Sequence, residues 1–74
     1  MRVYPDSTGH LFLKPGDYGK DADGQWTVRP LRGGTGMLEG HTVVEHEDGT
    51  ITVYPSIVAP GYHGFLVKGV WREC

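Results

Sequence analysis

A chain of 74 residues holds one domain, residues 1–74, that buries only about 60% of the surface its unfolded form exposes. Its single cysteine excludes an internal disulfide, and a formal charge of -2 excludes the basic excess that non-specific nucleic-acid binding requires. No apolar run reaches the length of a membrane span and the start MRVYPDSTGH has no signal-peptide core. The expectation is a complete, soluble chain of a reducing cytoplasm.

Twelve glycines and five prolines interrupt every window long enough for a helix of ten residues. Between them lie short runs of β-branched and aromatic residues, which predict strands near residues 2–4, 10–14, 25–29, 42–46, 51–54, 64–67 and 70–73. The fold class expected is all-β: a small antiparallel sheet or a partly open barrel built from short hairpins. DADGQW, between the second and third strands, reads as a hairpin turn running into Trp26. It is not a calcium loop, because position 12 counted from Asp21 is Arg32 where a glutamate is needed. RPLRGGTGMLEGH carries too much glycine for a regular element and is expected to be an exposed loop.

Two hairpins follow. With Asp48 and Gly49 as a two-residue turn, Val44 faces Val53 and His46 faces Ile51, and these four share one side. A three-residue loop that includes Glu47 moves the register by one and reverses the facing. Lys68-Gly69 makes the second turn and sets Leu66 opposite Trp71 and Phe65 opposite Arg72. Trp71 is the expected core anchor, since a large aromatic on a paired strand buries more area than its neighbours.

His46, Asp48, Gly49 and Thr50, the step Pro55-Ser56-Ile57, and the closing set Tyr62, His63, Gly64, Phe65, Leu66, Gly69 and Trp71 form a combined pattern. It resembles a family of small bacteriophage and prophage proteins, and the opening VYPDSTGHLFLKPGDYG is similar to theirs too. The resemblance implies a phage origin and a compact β fold, and assigns no activity. A broader related group carries a cysteine cluster near its start, which this chain lacks.

Among chemistry-bearing residues, RPLRGGTG is the most suggestive stretch. Successive N–H groups at Gly33 and Gly34 can form a nest for an anion, and Arg29 and Arg32 can add bidentate contacts to a phosphate. The plainer reading is a surface loop with two solvated arginines. It is not a P-loop, because the Lys-Ser/Thr pair and the following helix are missing. His63 either hydrogen-bonds a loop carbonyl at the start of the last hairpin or contacts a ligand together with Tyr62. His10, His41, His46, His63 and Cys74 match no zinc spacing, so no metal and no cofactor is expected. Ser56 follows a proline, where a hydroxyl closes turns, and Cys74 has nothing to hold it at a catalytic angle. No catalytic residue is therefore assigned.

The function expected is binding without catalysis. The first reading is an accessory protein that binds a host protein, such as a defence or regulatory factor, with Tyr18, Tyr54 and Tyr62 as exposed interface aromatics. Self-association into a homo-oligomer through an unpaired strand edge is expected alongside it. The second reading is a binder that sequesters a nucleotide signal, with its phosphates on the arginine-glycine loop and its base stacked on Tyr62 or Trp26. The third is a zinc-stabilised module.

Overall fold

In the computed structural model, which describes all residues 1–74, the chain is all-β and contains no helix. Nine short strands form: β1 (Arg2–Val3), β2 (Tyr18–Lys20), β3 (Trp26–Val28), β4 (Gly36–Met37), β5 (Thr42–Glu45), β6 (Ile51–Tyr54), β7 (Ile57–Ala59), β8 (Tyr62–Val67) and β9 (Val70–Glu73). They make three sheets, β1-β2-β3-β4, β5-β6 and β7-β8-β9, and none closes into a barrel. All pairings are antiparallel except β1 with β2, which run parallel across the long connection between them.

Three loops share one construction, and it sets the register of two hairpins. In residues 6–10, 21–25 and 46–50, the glycine N–H at the fourth position donates to the first residue's carbonyl, and the first N–H donates to the fifth carbonyl. This is a three-residue loop around a type I turn, with glycine supplying the positive φ at its last position. At Gly49 that φ is 88°. The two-residue turn expected at Asp48-Gly49 is thus corrected: Val43 faces Val53 and Glu45 faces Ile51, one residue from the register in which Val44 and His46 did. Asp48 decides it, because its Oδ1 accepts from both Thr50 N–H and Thr50 Oγ1–H, holding the wider loop closed. By contrast Lys68 and Gly69 take φ of 47° and 77°, the pair of positive angles of a two-residue I′ turn. Leu66 lies opposite Trp71 and Phe65 opposite Arg72, as expected.

The core is Tyr18, Val28, Leu38, Ile51, Val53, Ile57 and Leu66, with Trp26, Val43 and Trp71 half-buried around it. Leu66 and Ile51 are fully enclosed where β8 packs on β6. Trp71 is therefore not the central anchor. Its indole N–H donates to Gly16 O at 2.8 Å, and that polar edge keeps the ring at the rim of the core. Tyr18, expected as an exposed interface aromatic, is instead the largest fully buried side chain.

Residues 10–14 do not form the expected strand. Their backbone groups are taken by side chains: His10 N–H by Asp6 Oδ1, Lys14 N–H by Asp17 Oδ2 and Leu13 O by the Arg29 guanidinium. A segment whose donors and acceptors are so engaged has little left for a ladder. Conversely β2, β4 and β7 arise where no strand was expected, and β4 lies inside the glycine-rich loop. β2 (Tyr-Gly-Lys) and β4 (Gly-Met) have weak propensity of their own and are held by pairing with β3, whereas the β-branched β7 pairs with β8 across the short Pro60-Gly61 reversal. Arg2 ties the first sheet to the second: its guanidinium lies 4.7 Å from the Trp26 ring centre and 4.9 Å from that of Tyr4, and Nη1 donates to Glu45 Oε2 and Gly49 O.

Candidate functional site

The arginine-glycine loop folds onto the β7–β8 turn. Gly34 N–H donates to Pro60 O at 2.7 Å, and Gly33 packs directly against that carbonyl and Gly61. Arg32 Nε and Nη2 both reach Glu73 Oε2. Arg32, Gly33 and Gly34 are thus gathered beside the turn that leads into Tyr62. Arg29 is not among them: its Nη1 donates to Leu13 O at 2.9 Å, 16 residues back along the chain. The Gly34 donor is spent on protein, and Glu73 stands where an anion would meet Arg32.

Tyr62 is buried, contrary to its expected exposure, with 5% of its surface accessible. Its ring stands edge-on to Trp71 at a centroid distance of 5.5 Å, and its hydroxyl is enclosed without a hydrogen-bond partner. Burial raises its pKa above the usual phenol value, and the negative charges of Glu73 and Cys74 add to the shift. A ring so enclosed has no open face for a base. Trp26 is covered by Arg2 on one side and approached by Lys20 at 5.5 Å.

His63 points the other way. β8 alternates strictly, with Tyr62, Gly64 and Leu66 inward and His63, Phe65 and Val67 outward. His63 is exposed, and its Nε2 lies 3.1 Å from Ser56 Oγ. A serine hydroxyl beside an imidazole resembles a nucleophile with its base, but no hydrogen bond orients Nδ1 and the pair stands on an open surface. His41 Nε2 bonds the Ser56 carbonyl at 3.1 Å, so both imidazoles serve to hold the Pro55-Ser56 corner. No three His, Cys, Asp or Glu side chains converge as metal ligands would.

The only depression, about 360 Å³, lies between the β5–β6 and β8–β9 turns and is lined by His46, Glu47, Asp48, Thr50 and Lys68. Beside it Thr52 Oγ1 accepts from Lys68 N–H and bonds His46 Nε2 at 2.7 Å, tying the two turns together. The five residues that line it are all polar or charged, unlike the mostly apolar and aromatic side chains that line small-molecule sites. None of the six residues nominated from the sequence lies in it.

A different feature is built by sheet β7-β8-β9. Register places Val58 opposite His63, Phe65 opposite Arg72 and Val67 opposite Val70, all on the outer face. Val58 is 74% exposed, Val70 54%, Phe65 42% and Val67 39%, four neighbouring apolar side chains with His63 and Arg72 set among them. Single exposed apolar residues are ordinary, whereas a cluster on one sheet face marks a contact surface. The sequence did carry a signal for it. YHGFLV is apolar in both alternating phases, and a domain this small can cover only one side of such a strand.

Compared with protein-family models, with curated proteins and with solved structures, the chain matches none.

Proposed function

We propose that the protein is a non-catalytic recognition module that binds a partner protein through the outer face of β7-β8-β9. The observation that carries this reading is the exposed cluster of Val58, Phe65, Val67 and Val70 on a rigid, hydrogen-bonded sheet. Interfaces of this kind combine an apolar centre with a few polar groups that fix orientation, which here are His63 and Arg72. Its place is that of a phage-type accessory protein in a host cytoplasm, and the partner is a host defence or regulatory protein.

The test is capture from bacterial lysate with the native chain and with a Val58→Asp/Phe65→Asp double variant. Both positions lie on the outer face, so the variant is expected to stay folded, which its circular dichroism checks. The native chain is expected to retain a protein that the variant releases, and identical retention by both sinks the reading.

A phosphate-bearing ligand at Arg32 is the second reading, supported by the gathering of Arg32, Gly33 and Gly34 beside the Tyr62 turn. It requires the ligand to displace Glu73 from Arg32. Nucleotides at a hundredfold their dissociation constant then stabilise by about 2.7 kcal/mol in a thermal-shift assay. No shift with any nucleotide removes it.

A further inference from the structure

β9 ends its sheet, with no strand beyond it. Cys74 N–H donates to His63 O at 2.9 Å, which sets the phase of the β8–β9 ladder. Residues 70, 72 and 74 direct their backbone groups toward β8, and Trp71 and Glu73 direct theirs away from it. The N–H and C=O of Trp71 and Glu73 make no hydrogen bond in any loop or to any side chain. Four backbone groups therefore stand in a row along an open edge, ready to template another strand. Beside that edge, on the outer face, lie Val70 and Arg72.

A second copy of this chain is a poor occupant. A two-fold antiparallel pairing that uses all four groups sets Trp71 of one copy against Glu73 of the other. That register brings Arg72 directly opposite its own counterpart. Like charges facing each other on one side of a ladder are destabilising. The neighbouring two-fold registers avoid this clash by using only Trp71 or only Glu73, half of the available donors and acceptors.

We propose that the open edge of β9 receives an extended segment of the partner protein as a fourth, antiparallel strand, with a carboxylate opposite Arg72 and an aliphatic side chain opposite Val70. The inference rests on the reading of the outer face as the recognition surface, because Val70 and Arg72 belong to both. Main-chain hydrogen bonds to Trp71 and Glu73 supply attachment, and the two outward side chains supply selectivity. Antiparallel pairing fixes the order in the segment: the acidic residue comes first, and the aliphatic one follows two positions later toward its C-terminus.

The probes are two capped hexapeptides, TTETVT and TTKTVT, titrated into the full chain while its backbone amide resonances are followed. TTETVT is expected to shift the Trp71 and Glu73 amides and to bind roughly fivefold more tightly than TTKTVT, the factor an unlike rather than a like charge pair makes across strands. Arg72→Glu is expected to invert that order. Glu73→Pro removes the open N–H while its fixed φ suits an edge strand, so it abolishes binding. Glu73→Ala removes only the carboxylate that holds Arg32, and it keeps binding. Equal affinity for the two peptides, unmoved Trp71 and Glu73 amides, or equal losses in Glu73→Pro and Glu73→Ala overturn the proposal. If Glu73→Pro captures the same lysate protein as the native chain while Val58→Asp/Phe65→Asp does not, the edge is wrong and the face stands. If only Glu73→Pro loses its ligand, the face is wrong and the edge stands.

Discussion

Tyr62 shows how much a single group can hold in a core this small. Its ring contributes apolar area and an edge-on contact with Trp71, yet its hydroxyl is enclosed with no partner. A buried, unpaired hydroxyl costs about 1–3 kcal/mol in lost hydration, so Tyr62→Phe is expected to raise stability by about 1 kcal/mol in denaturant unfolding. The same residue gives a pH signature. Burial raises the folded-state pKa of Tyr62, and of Tyr18, above the usual phenol value near 10. The folded state thus holds these protons more tightly than the unfolded chain does. Their contribution is complete below pH 10 and is lost as pH rises through the raised folded values. Tyr62→Phe removes one of the two groups, so its unfolding free energy falls less steeply above pH 10 than that of the native chain. An equal or steeper fall refutes that account.

At the scale of elements, turn chemistry rather than strand propensity organises the chain. The strands are two to six residues long, and what fixes their partners is the reversal between them. The three-residue loops that begin at Asp6, Asp21 and His46 are each closed by a carboxylate, from Asp6, Asp21 and Asp48, that accepts backbone N–H groups within the loop. The Thr8 and Thr50 hydroxyls, the largest cause, hold Asp6 and Asp48 below the ordinary carboxylate value. Lys68-Gly69 makes the tighter reversal, and Gly69 N–H also donates to Ile51 O at 3.0 Å, docking that turn on β6. A methyl at Gly69 is strained at its φ of 77° and meets the Tyr18 hydroxyl at 2.7 Å. Gly69→Ala is therefore expected to cost about 2 kcal/mol or more, from left-handed strain and overpacking together. A melting temperature unchanged from the native chain contradicts this.

For the whole molecule, folding leaves 4658 Å² of surface, against about 11,900 Å² for an unfolded chain of this mass. About three-fifths is buried, the share anticipated from length alone, and the radius of gyration of 11.2 Å agrees with a compact chain of this size. Only 14 of the 74 residues are buried, so each core side chain carries a large part of the total. Leu66 is fully enclosed between β8 and β6, and Leu66→Ala is expected to cost about 2–5 kcal/mol. That range is comparable to everything one hydrophobic core supplies at this length, so the variant should be largely unfolded by circular dichroism at room temperature. A cooperative, native-like melt for Leu66→Ala means that some other interaction dominates.

What the amino-acid order determined by itself was local: an all-β chain without helices, the DADGQW reversal, and the Lys68-Gly69 turn with Leu66 set against Trp71. Each depends on φ preferences or on breakers a few residues apart, which are written in the sequence directly. Tertiary structure decided the rest. The wider loop at Asp48-Gly49 is held by the local contact of Asp48 with Thr50, whereas β1, β2 and β4 come together only through pairing in the first sheet. The candidate site moved for the same reason. In the arginine-glycine loop Gly34 N–H went to Pro60 and the Arg32 guanidinium to Glu73, and Tyr62 turned inward. Burial is a competition among all surfaces of the chain, and YHGFLV offered two apolar sides to a core with room for one. The outcome put His63, Phe65 and Val67 outside, beside an edge whose backbone is unpaired.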